Sequence, residues 1–242
     1  MILLVLCVCL AAELHQSEGS LSQPDALGTI SADQLMEIID LHNALRRNVD
    51  PPAKNMLKMS WNEEAAANAQ AWADECTLNH SPKARRVVGR NQCGENLFMS
   101  SGPSNWTNAI ISWYNENKFF KHGVGATPEG AVIGHYTQMA WYSTYKMGCG
   151  SAYCPNQPTF KYYYVCHYCP AGNIQGRIAT PYEKGPPCGA CPNDCEDGLC
   201  TNPCKFRSEY PNCDQLVADW GCDHPMLSKN CEASCKCTTE IR

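Results

Sequence analysis

Long apolar runs, internal repeats and basic stripes are all scarce in this sequence. Beyond residue 12, no apolar run is long enough to span a membrane, so we expect a mature chain that does not span one. The formal net charge is −5 with both signs scattered. This argues against nucleic-acid binding, which needs a basic stripe. Apart from the cysteines, the composition therefore excludes classes of function and does not indicate one.

Large apolar residues are also too few in residues 188–237 to form a hydrophobic core. That stretch carries ten of the chain's 18 cysteines. Small folds without a core are usually held together by disulfides, a metal or a partner. We expect covalent crosslinks here, and we expect the activity to lie in this stretch.

The N-terminus indicates which redox compartment the cysteines meet. Met1 opens the apolar run ILLVLCVCLAA, followed by the polar segment ELHQSEGS. This pattern predicts a secretory signal peptide over residues 1–19, with cleavage near Gly19. Its removal takes Cys7 and Cys9 and leaves 16 of the 18 cysteines. An even number of cysteines in an oxidising compartment favours eight disulfides.

A zinc site is the alternative use of some cysteines. The pairs Cys166/Cys169 and Cys188/Cys191 each have CxxC spacing, and 18 residues separate the two pairs. This spacing matches a four-cysteine zinc site, which we would favour in a cytosolic chain. Behind a signal peptide, disulfides are the favoured interpretation.

Residues 31–182 have the apolar content of one folded domain. Ser31 and Gln34 form a capping-box pattern before a helical run that ends ahead of Pro51. Ser60 and Glu63 repeat that pattern before an alanine-rich helix. A third helix is predicted to begin near residue 104, from its apolar and aromatic spacing.

Strands are predicted later in the same domain. Residues 160–169 are rich in aromatic and β-branched side chains on both alternating faces, which is typical of a strand covered on both sides. Residues 146–154 are predicted as its neighbour, with PNQP as the turn between them. The fold class is therefore α+β, an α-β-α sandwich around a small, mostly antiparallel sheet. Composition changes after residue 182, which predicts a disulfide-rich hinge over 183–203 and a helical, cysteine-rich tail module over 204–242.

Four motifs carry a resemblance to a known family. They are LHNALRR at 41–47, GENLFMS at 94–100, GHYTQMAW at 134–141 and CHYCPAGN at 166–173. They resemble the signatures of the CAP superfamily, and the 16-cysteine arrangement resembles its cysteine-rich secretory protein branch, found in reptile venoms and vertebrate reproductive tracts. The resemblance implies a CAP domain followed by a hinge and an ion-channel regulator domain similar to sea-anemone potassium-channel toxins.

The resemblance also implies a disulfide pairing, which the sequence alone leaves open. The implied pairs are Cys76–Cys154, Cys93–Cys169, Cys149–Cys166, Cys188–Cys195, Cys191–Cys200, Cys204–Cys237, Cys213–Cys231 and Cys222–Cys235. Three of these bridges lie in the tail, where they can replace the missing core, since each restricts the unfolded chain.

A cleft in the large domain is a further implication of the resemblance. The side chains that line it are His80, Glu95, Glu116 and His135. Two imidazoles facing two carboxylates are a credible zinc site, with the histidines as ligands and the carboxylates as further ligands or hydrogen-bond acceptors. The four groups could instead only hydrogen-bond one another and hold the cleft. No nucleophile motif is present, so we expect no catalysis, no required cofactor and zinc as an optional one.

The tail supplies the second candidate site. We expect the channel contact to be made by Phe206, Arg207, Tyr210, Trp220 and Lys229. Leu216 and Trp220 could instead pack on the disulfides from one helix face, an interpretation that suits Leu216 better. Five basic and six acidic residues give the tail a net charge of −1, and Lys229 is flanked by Ser228 and Asn230 with no aromatic residue beside it. We therefore expect a broad contact surface without the lysine and aromatic pair of a potassium-pore plug.

The resulting functional hypothesis is a secreted, non-enzymatic venom toxin that inhibits ion channels. The resemblance to venom members implies ryanodine receptors, voltage-gated calcium channels and potassium channels as partners. We expect a monomer released extracellularly from a venom gland. The alternative is a reproductive-tract or defence protein whose large domain binds sterol, membrane or a cell surface.

Overall fold

The computed structural model describes residues 30–210 and 212–242 of the chain. The predicted signal peptide and its cleavage site lie outside these residues. The α-helices are α1 (Ala32–Arg47), α2 (Glu63–Ala73), α3 (Trp106–Tyr114), α4 (Gly134–Met139), α5 (Cys213–Trp220), α6 (Pro225–Asn230) and α7 (Glu232–Lys236). The strands are β1 (Ser60–Trp61), β2 (Val87–Val88), β3 (Asn91–Gln92), β4 (Gly94–Ser100), β5 (Phe120–Lys121), β6 (Gly125–Ala126), β7 (Lys146–Tyr153), β8 (Tyr162–Cys169), β9 (Cys195–Glu196) and β10 (Leu199–Cys200). Across the described residues, no helix combines the length and the hydropathy needed to cross a membrane.

A four-stranded sheet in the order β1-β7-β8-β4 forms the centre of the large domain. Strand β8 pairs antiparallel with both β7 and β4, whereas the short β1 pairs parallel with β7. The predicted strand pair and its turn are therefore confirmed. Strand β4, which carries the GENLFMS motif, is the partner that the periodicity did not identify.

Both faces of the sheet are covered. Successive side chains of a strand point to opposite faces, so each strand contributes to both layers. On one face, Tyr164 and Tyr168 of β8 pack with Trp106 and Trp113 of α3 and with Ile38 of α1. On the other face, α2 packs on β7 and β8 through a second cluster of buried side chains. The α-β-α sandwich predicted from the sequence is the observed architecture.

The two predicted capping boxes have different outcomes. At α1 the Ser31 hydroxyl accepts from the Gln34 backbone N–H, and the Gln34 side chain accepts from the Ser31 N–H, so this prediction is confirmed. The box at Ser60 is wrong, because that residue lies in β1. The N-cap of α2 is Asn62, whose side-chain oxygen accepts from the Ala65 N–H at 2.9 Å. Asparagine is as strong an N-cap as serine.

Helix α2 approaches strand β7 closely because β7 carries two glycines at the contact. A Cβ atom on Gly148 would lie 2.1 Å from the backbone nitrogen of Ala66, and one on Gly150 would lie 2.4 Å from the Cα of Gln70. Both neighbours are helix backbone, which cannot rotate away as a side chain could. The layer spacing on this face therefore depends on glycine at both positions.

Arg46 holds the segments around the end of α1 together. Its side chain is fully buried, and its guanidinium donates to the carbonyl oxygens of Leu57, Met139, Trp141 and Thr144 at 2.6 to 3.0 Å. A guanidinium provides five N–H donors, so one buried side chain can satisfy several loop carbonyls. Arg46 of the LHNALRR motif therefore holds loops in place in addition to belonging to the helix.

The hinge is joined to the large domain by backbone hydrogen bonds, and disulfides crosslink the large domain, the hinge and the tail each within itself. The N–H of Cys200 donates to Met56 at 2.8 Å, and the N–H of Lys58 donates to Cys200 at 2.8 Å. The eight disulfides join the pairs Cys76–Cys154, Cys93–Cys169, Cys149–Cys166, Cys188–Cys195, Cys191–Cys200, Cys204–Cys237, Cys213–Cys231 and Cys222–Cys235. These are the pairs that the family resemblance implies. The predicted helix face with Leu216 and Trp220 belongs to α5, and the sequence did not identify the shorter α6 and α7.

Candidate functional site

The carboxylate of Glu95 is the centre of a buried polar cluster in the large domain. It accepts from Nδ1 of His80 at 2.7 Å, from Nε2 of His167 at 3.0 Å and from the Arg86 guanidinium at 2.9 Å. The Ser81 hydroxyl and backbone N–H donate to it at 2.6 and 2.9 Å. With five donors on two oxygens, Glu95 has little capacity left to ligate a metal.

These contacts determine the protonation of Glu95. Burial alone would raise the pKa of this carboxyl, but the hydrogen bonds from His167, His80 and Ser81 outweigh it and hold the pKa far below its usual range. Glu95 is therefore ionised at neutral pH. An ionised carboxylate only accepts, so His80 must donate from Nδ1 and His167 from Nε2.

Glu116 and His135 form a second pair at the start of α4. Nδ1 of His135 lies 2.6 Å from one oxygen of Glu116, and the backbone N–H groups of His135 and Tyr136 donate to the other oxygen at 2.8 and 3.1 Å. The His135 ring also stacks on Trp113, with centroids 6.5 Å apart. Ring position and orientation are thus fixed from two sides.

The structure arranges the four predicted cleft residues as two pairs. The Asn96 side chain donates to the carbonyl of His135 at 3.1 Å, so α4 meets β4 one residue from Glu95. In both pairs the carboxylate binds Nδ1, which leaves the lone pair on Nε2 of His80 and of His135. A carboxylate that orients a histidine in this way is the usual outer partner of a zinc ligand. Imidazoles oriented in this way are donors of the type that zinc binds, and a zinc ion held by His80 and His135 stays a prediction.

The cysteines do not provide a competing metal site. Within the part of the chain that the structure describes, Cys188, Cys191 and Cys200 are the one compact group of three potential ligands. Their sulfurs are consumed in the bridges Cys188–Cys195 and Cys191–Cys200, so no thiolate is available. Cys166 and Cys169, from the alternative zinc interpretation, are also disulfide-bonded.

Sequence reasoning missed three members of the Glu95 cluster, namely Ser81, Arg86 and His167. The missed signal was the strand pairing, since Glu95 on β4 lies directly opposite His167 on β8. Ser81 is buried and its hydroxyl donates to a carboxylate, so it is neither accessible nor paired with a histidine base.

The predicted contact residues of the tail lie at different places. Phe206 and Tyr210 are 44% and 42% exposed, and Trp220 is 68% exposed at the end of α5. Leu216 packs against the cluster of Cys213, Cys231 and Leu227, whereas Trp220 lies outside it. Few aromatic side chains are covered here, because the disulfides occupy the interior.

Folding brings a lysine beside an aromatic ring in the tail. The ammonium nitrogen of Lys236 lies 4.5 Å from the centroid of Phe206. The expectation that the tail has no such pair, drawn from the neighbours of Lys229 in the sequence, is therefore wrong. Lys236 also forms an ion pair with Glu232 at 2.7 Å, which offsets its charge. The pair thus differs from a free cation held out to plug a pore.

Two other predicted contacts separate in space. Arg207 donates to the carbonyl of Arg90 at 3.0 Å, so its guanidinium is engaged at the boundary with the large domain. Lys229 is exposed on α6. A cleft of about 880 Å³ lies between the tail and the large domain, and Phe206, Arg207 and Tyr210 line it, whereas Trp220 and Lys229 do not.

Comparison with known sequences finds family profiles for both the large domain and the C-terminal part of the chain. A family profile described as "Cysteine-rich secretory protein family" matches residues 39–168, and one described as "Crisp" matches residues 188–242. "Cysteine-rich venom protein helothermine" from Heloderma horridum horridum is 54% identical over 243 residues, covering 100% of both sequences.

Solved structures share the fold. The crystal structure of NaASP2 with Zn2+ is 32% identical, with a TM-score of 0.59 and coverage of 71% of this chain and 97% of that one. The structure of BmVAL-1 is 29% identical, with a TM-score of 0.60 and coverage of 72% and 96%. The former shows that a protein of this fold has been crystallised with zinc.

Proposed function

This chain belongs to the cysteine-rich secretory protein family, and we propose that it is a secreted venom toxin that inhibits ion channels through its tail module. Its large domain has the CAP fold, and its tail is the cysteine-rich region of the family. The relationship to a venom protein over the whole length supports venom over a reproductive or defence role. Eight disulfides suit an extracellular protein.

The observation that carries the channel proposal is the exposure of aromatic side chains on a covalently rigid module. Phe206, Tyr210 and Trp220 remain exposed in a segment with three disulfides of its own. Exposed aromatics on a rigid surface lose little conformational entropy on binding and are the residues that dominate protein interfaces. A broad, mixed-charge contact on the outer surface of a channel fits these side chains.

We infer that the large domain acts in binding and positioning and has no enzymatic activity. The Glu95 oxygens are occupied, and the neighbouring hydroxyl of Ser81 is buried. Zinc at Nε2 of His80 and His135 would link the loop that carries His80 to the start of α4 and supply no catalytic step. A purified chain that hydrolyses peptides, and loses this activity in His135→Ala, would refute the non-enzymatic proposal.

Electrophysiology on the three implied channel classes tests the function. Ryanodine receptors, voltage-gated calcium channels and potassium channels are each exposed to the folded chain and to the same chain after reduction and alkylation. The proposal predicts inhibition of at least one class by the folded chain and none by the reduced chain. Absence of inhibition in all three classes would reject it.

A further inference from the structure

The cleft between the tail and the large domain has walls from both of these parts of the chain. Tyr142, Tyr145 and Ile174 line it from the large domain, and Phe206 and Tyr210 line it from the tail. Its volume of about 880 Å³ lies within the range of ligand-binding sites. The tail is held across it by the buried Ile241, which packs on Leu57 and the hinge disulfides.

The charge of the cleft is opposite to that of the chain. The whole sequence has 19 basic and 24 acidic residues. The cleft has five basic and two acidic side chains, namely Arg90, Arg177, Lys205, Arg207 and Arg242 against Asp214 and Glu232. A positively charged cleft in a negatively charged chain attracts negatively charged ligands.

Two of these cations are available to a ligand. Arg90 pairs with Glu209 and Glu232, Arg207 also approaches Glu209, and Arg242 pairs with Asp214. Neither Arg177 nor Lys205 has an ion pair or a side-chain hydrogen bond with any described residue, and both are exposed. Arg177 belongs to the large domain and Lys205 to the tail, so a ligand that meets both must lie across the cleft.

The walls between the cations are aromatic and aliphatic. Phe206 is 44% exposed, Tyr210 is 42% exposed and Ile174 is 49% exposed. A small inorganic anion would not use these surfaces. A flat membrane cannot enter a cleft with walls on two sides. An extended peptide can place carboxylates on the cations and apolar side chains against the rings.

We propose that the cleft binds an extended acidic segment of the target protein, with carboxylates at Arg177 and Lys205 and an aromatic or apolar side chain against Phe206 and Tyr210. The inference rests on the proposed function, because the target is the channel that the chain inhibits. The inference predicts that the channel has an acidic loop with an aromatic or apolar side chain. It also predicts that binding needs both the large domain and the tail.

Peptide titration of the full-length chain tests the cleft directly. The probes are the blocked peptides EYELE and KYKLK, titrated calorimetrically at millimolar concentration and low salt. EYELE is expected to bind and KYKLK is not. Reversal of charge in Arg177→Glu or in Lys205→Glu is expected to weaken EYELE binding roughly 5- to 30-fold. Lys121→Glu is the matched control, since Lys121 is exposed, lies outside the cleft and changes the net charge equally.

Several results would overturn the proposal. These are equal binding of both peptides, no binding of EYELE, and equal weakening by the control. Binding of phosphatidylserine vesicles that is lost in Arg177→Glu, without peptide binding, would replace the acidic segment with a lipid surface. Circular dichroism and the mass of the unreduced chain verify that each variant is folded and fully disulfide-bonded.

The failures of the two proposals are distinguishable. If wild type, Arg177→Glu and Lys205→Glu inhibit a channel equally well, the proposed function stands and the cleft inference fails. If the chain binds EYELE through these cations and inhibits no channel, the cleft inference stands and the proposed function fails.

Discussion

The ammonium group of Lys236 lies over the ring of Phe206, although the two residues are far apart in the sequence. The Cys204–Cys237 bridge explains this contact, since each residue is within two positions of one of its cysteines. The sequence neighbours of a lysine are thus a poor guide to its surroundings in a module held by disulfides. The pair can be tested for a pore-plugging role.

Lys236→Gln separates a pore plug from a broad contact. A plug depends on one lysine, so its loss would abolish potassium-channel inhibition. In the broad contact, the change removes a cation-π contact and an ion pair at an exposed site, and we expect inhibition to weaken only about 2- to 5-fold. Dose-response curves on a potassium channel measure the difference. Complete loss of block in a folded variant would favour the plug.

Removal of the Glu95 charge is expected to destabilise the large domain. Glu95→Gln removes the negative charge and one of the two accepting oxygens, so Arg86 loses its ion-pair partner and the two histidines lose their charged acceptor. We expect a loss of roughly 3 kcal/mol in the free energy of unfolding. Urea titration measures it, with the exposed Glu129→Gln as control. A loss no larger than that of the control would show that the cluster contributes little.

The same carboxylate predicts a direction of pH dependence. Because the folded state holds the pKa of Glu95 far below its usual range, this group stabilises the fold above the unfolded pKa of about 4.3. That contribution is lost as the pH falls below about 5. Wild type should therefore lose stability in acid more steeply than Glu95→Gln. Parallel curves of unfolding free energy against pH would contradict this prediction.

Zinc binding is expected to depend on both cleft histidines. His80→Ala and His135→Ala each remove one of the two Nε2 ligands and should abolish measurable binding in calorimetry. Glu116→Gln weakens the orientation of His135 and should lower the affinity about 10- to 100-fold. The control is His224→Asn, which removes a tail histidine and keeps a residue able to cap α6. Zinc affinity unchanged in His135→Ala would refute the site.

The glycine at position 148 is expected to be essential for the α2 contact. In Gly148→Ala, the added Cβ meets helix backbone at 2.1 Å, so α2 must move. We expect a cost of roughly 3 kcal/mol or more in unfolding free energy. Gly102→Ala is the control, because nothing lies within 4 Å of its Cβ position, and it should change stability by less than about 0.5 kcal/mol. Similar thermal melting of the two variants would contradict the packing argument.

Local patterns predicted the main elements of the large domain because they report on local physics. The cap of α1 and the two-sided strand β8 each depend on a few neighbouring residues. The Ser60 cap failed because β1 pairs with β7, which is a contact distant in sequence. The tail helices α6 and α7 are only six and five residues long, too short for a periodic pattern.

The candidate sites depended more on tertiary contacts than the helices did. The family resemblance supplied His80, Glu95, Glu116 and His135, but the sequence could not show that the carboxylates are occupied by hydrogen bonds. The cleft beside the tail was unpredictable for the same reason, because Arg177 and Lys205 become its walls only when the hinge docks. Exposed charges have no periodicity from which such a juxtaposition can be derived.

The central claim is that exposed aromatics of the tail mediate channel inhibition. Its most direct test compares block by wild type with block by the Phe206→Ala/Tyr210→Ala double variant. Tyr153→Ala/Phe160→Ala is the matched control, since these exposed aromatics lie in the large domain, away from the tail. We predict that the tail variant needs at least a tenfold higher concentration for half-maximal block, while the control matches wild type. Equal block by all three folded proteins would contradict the account.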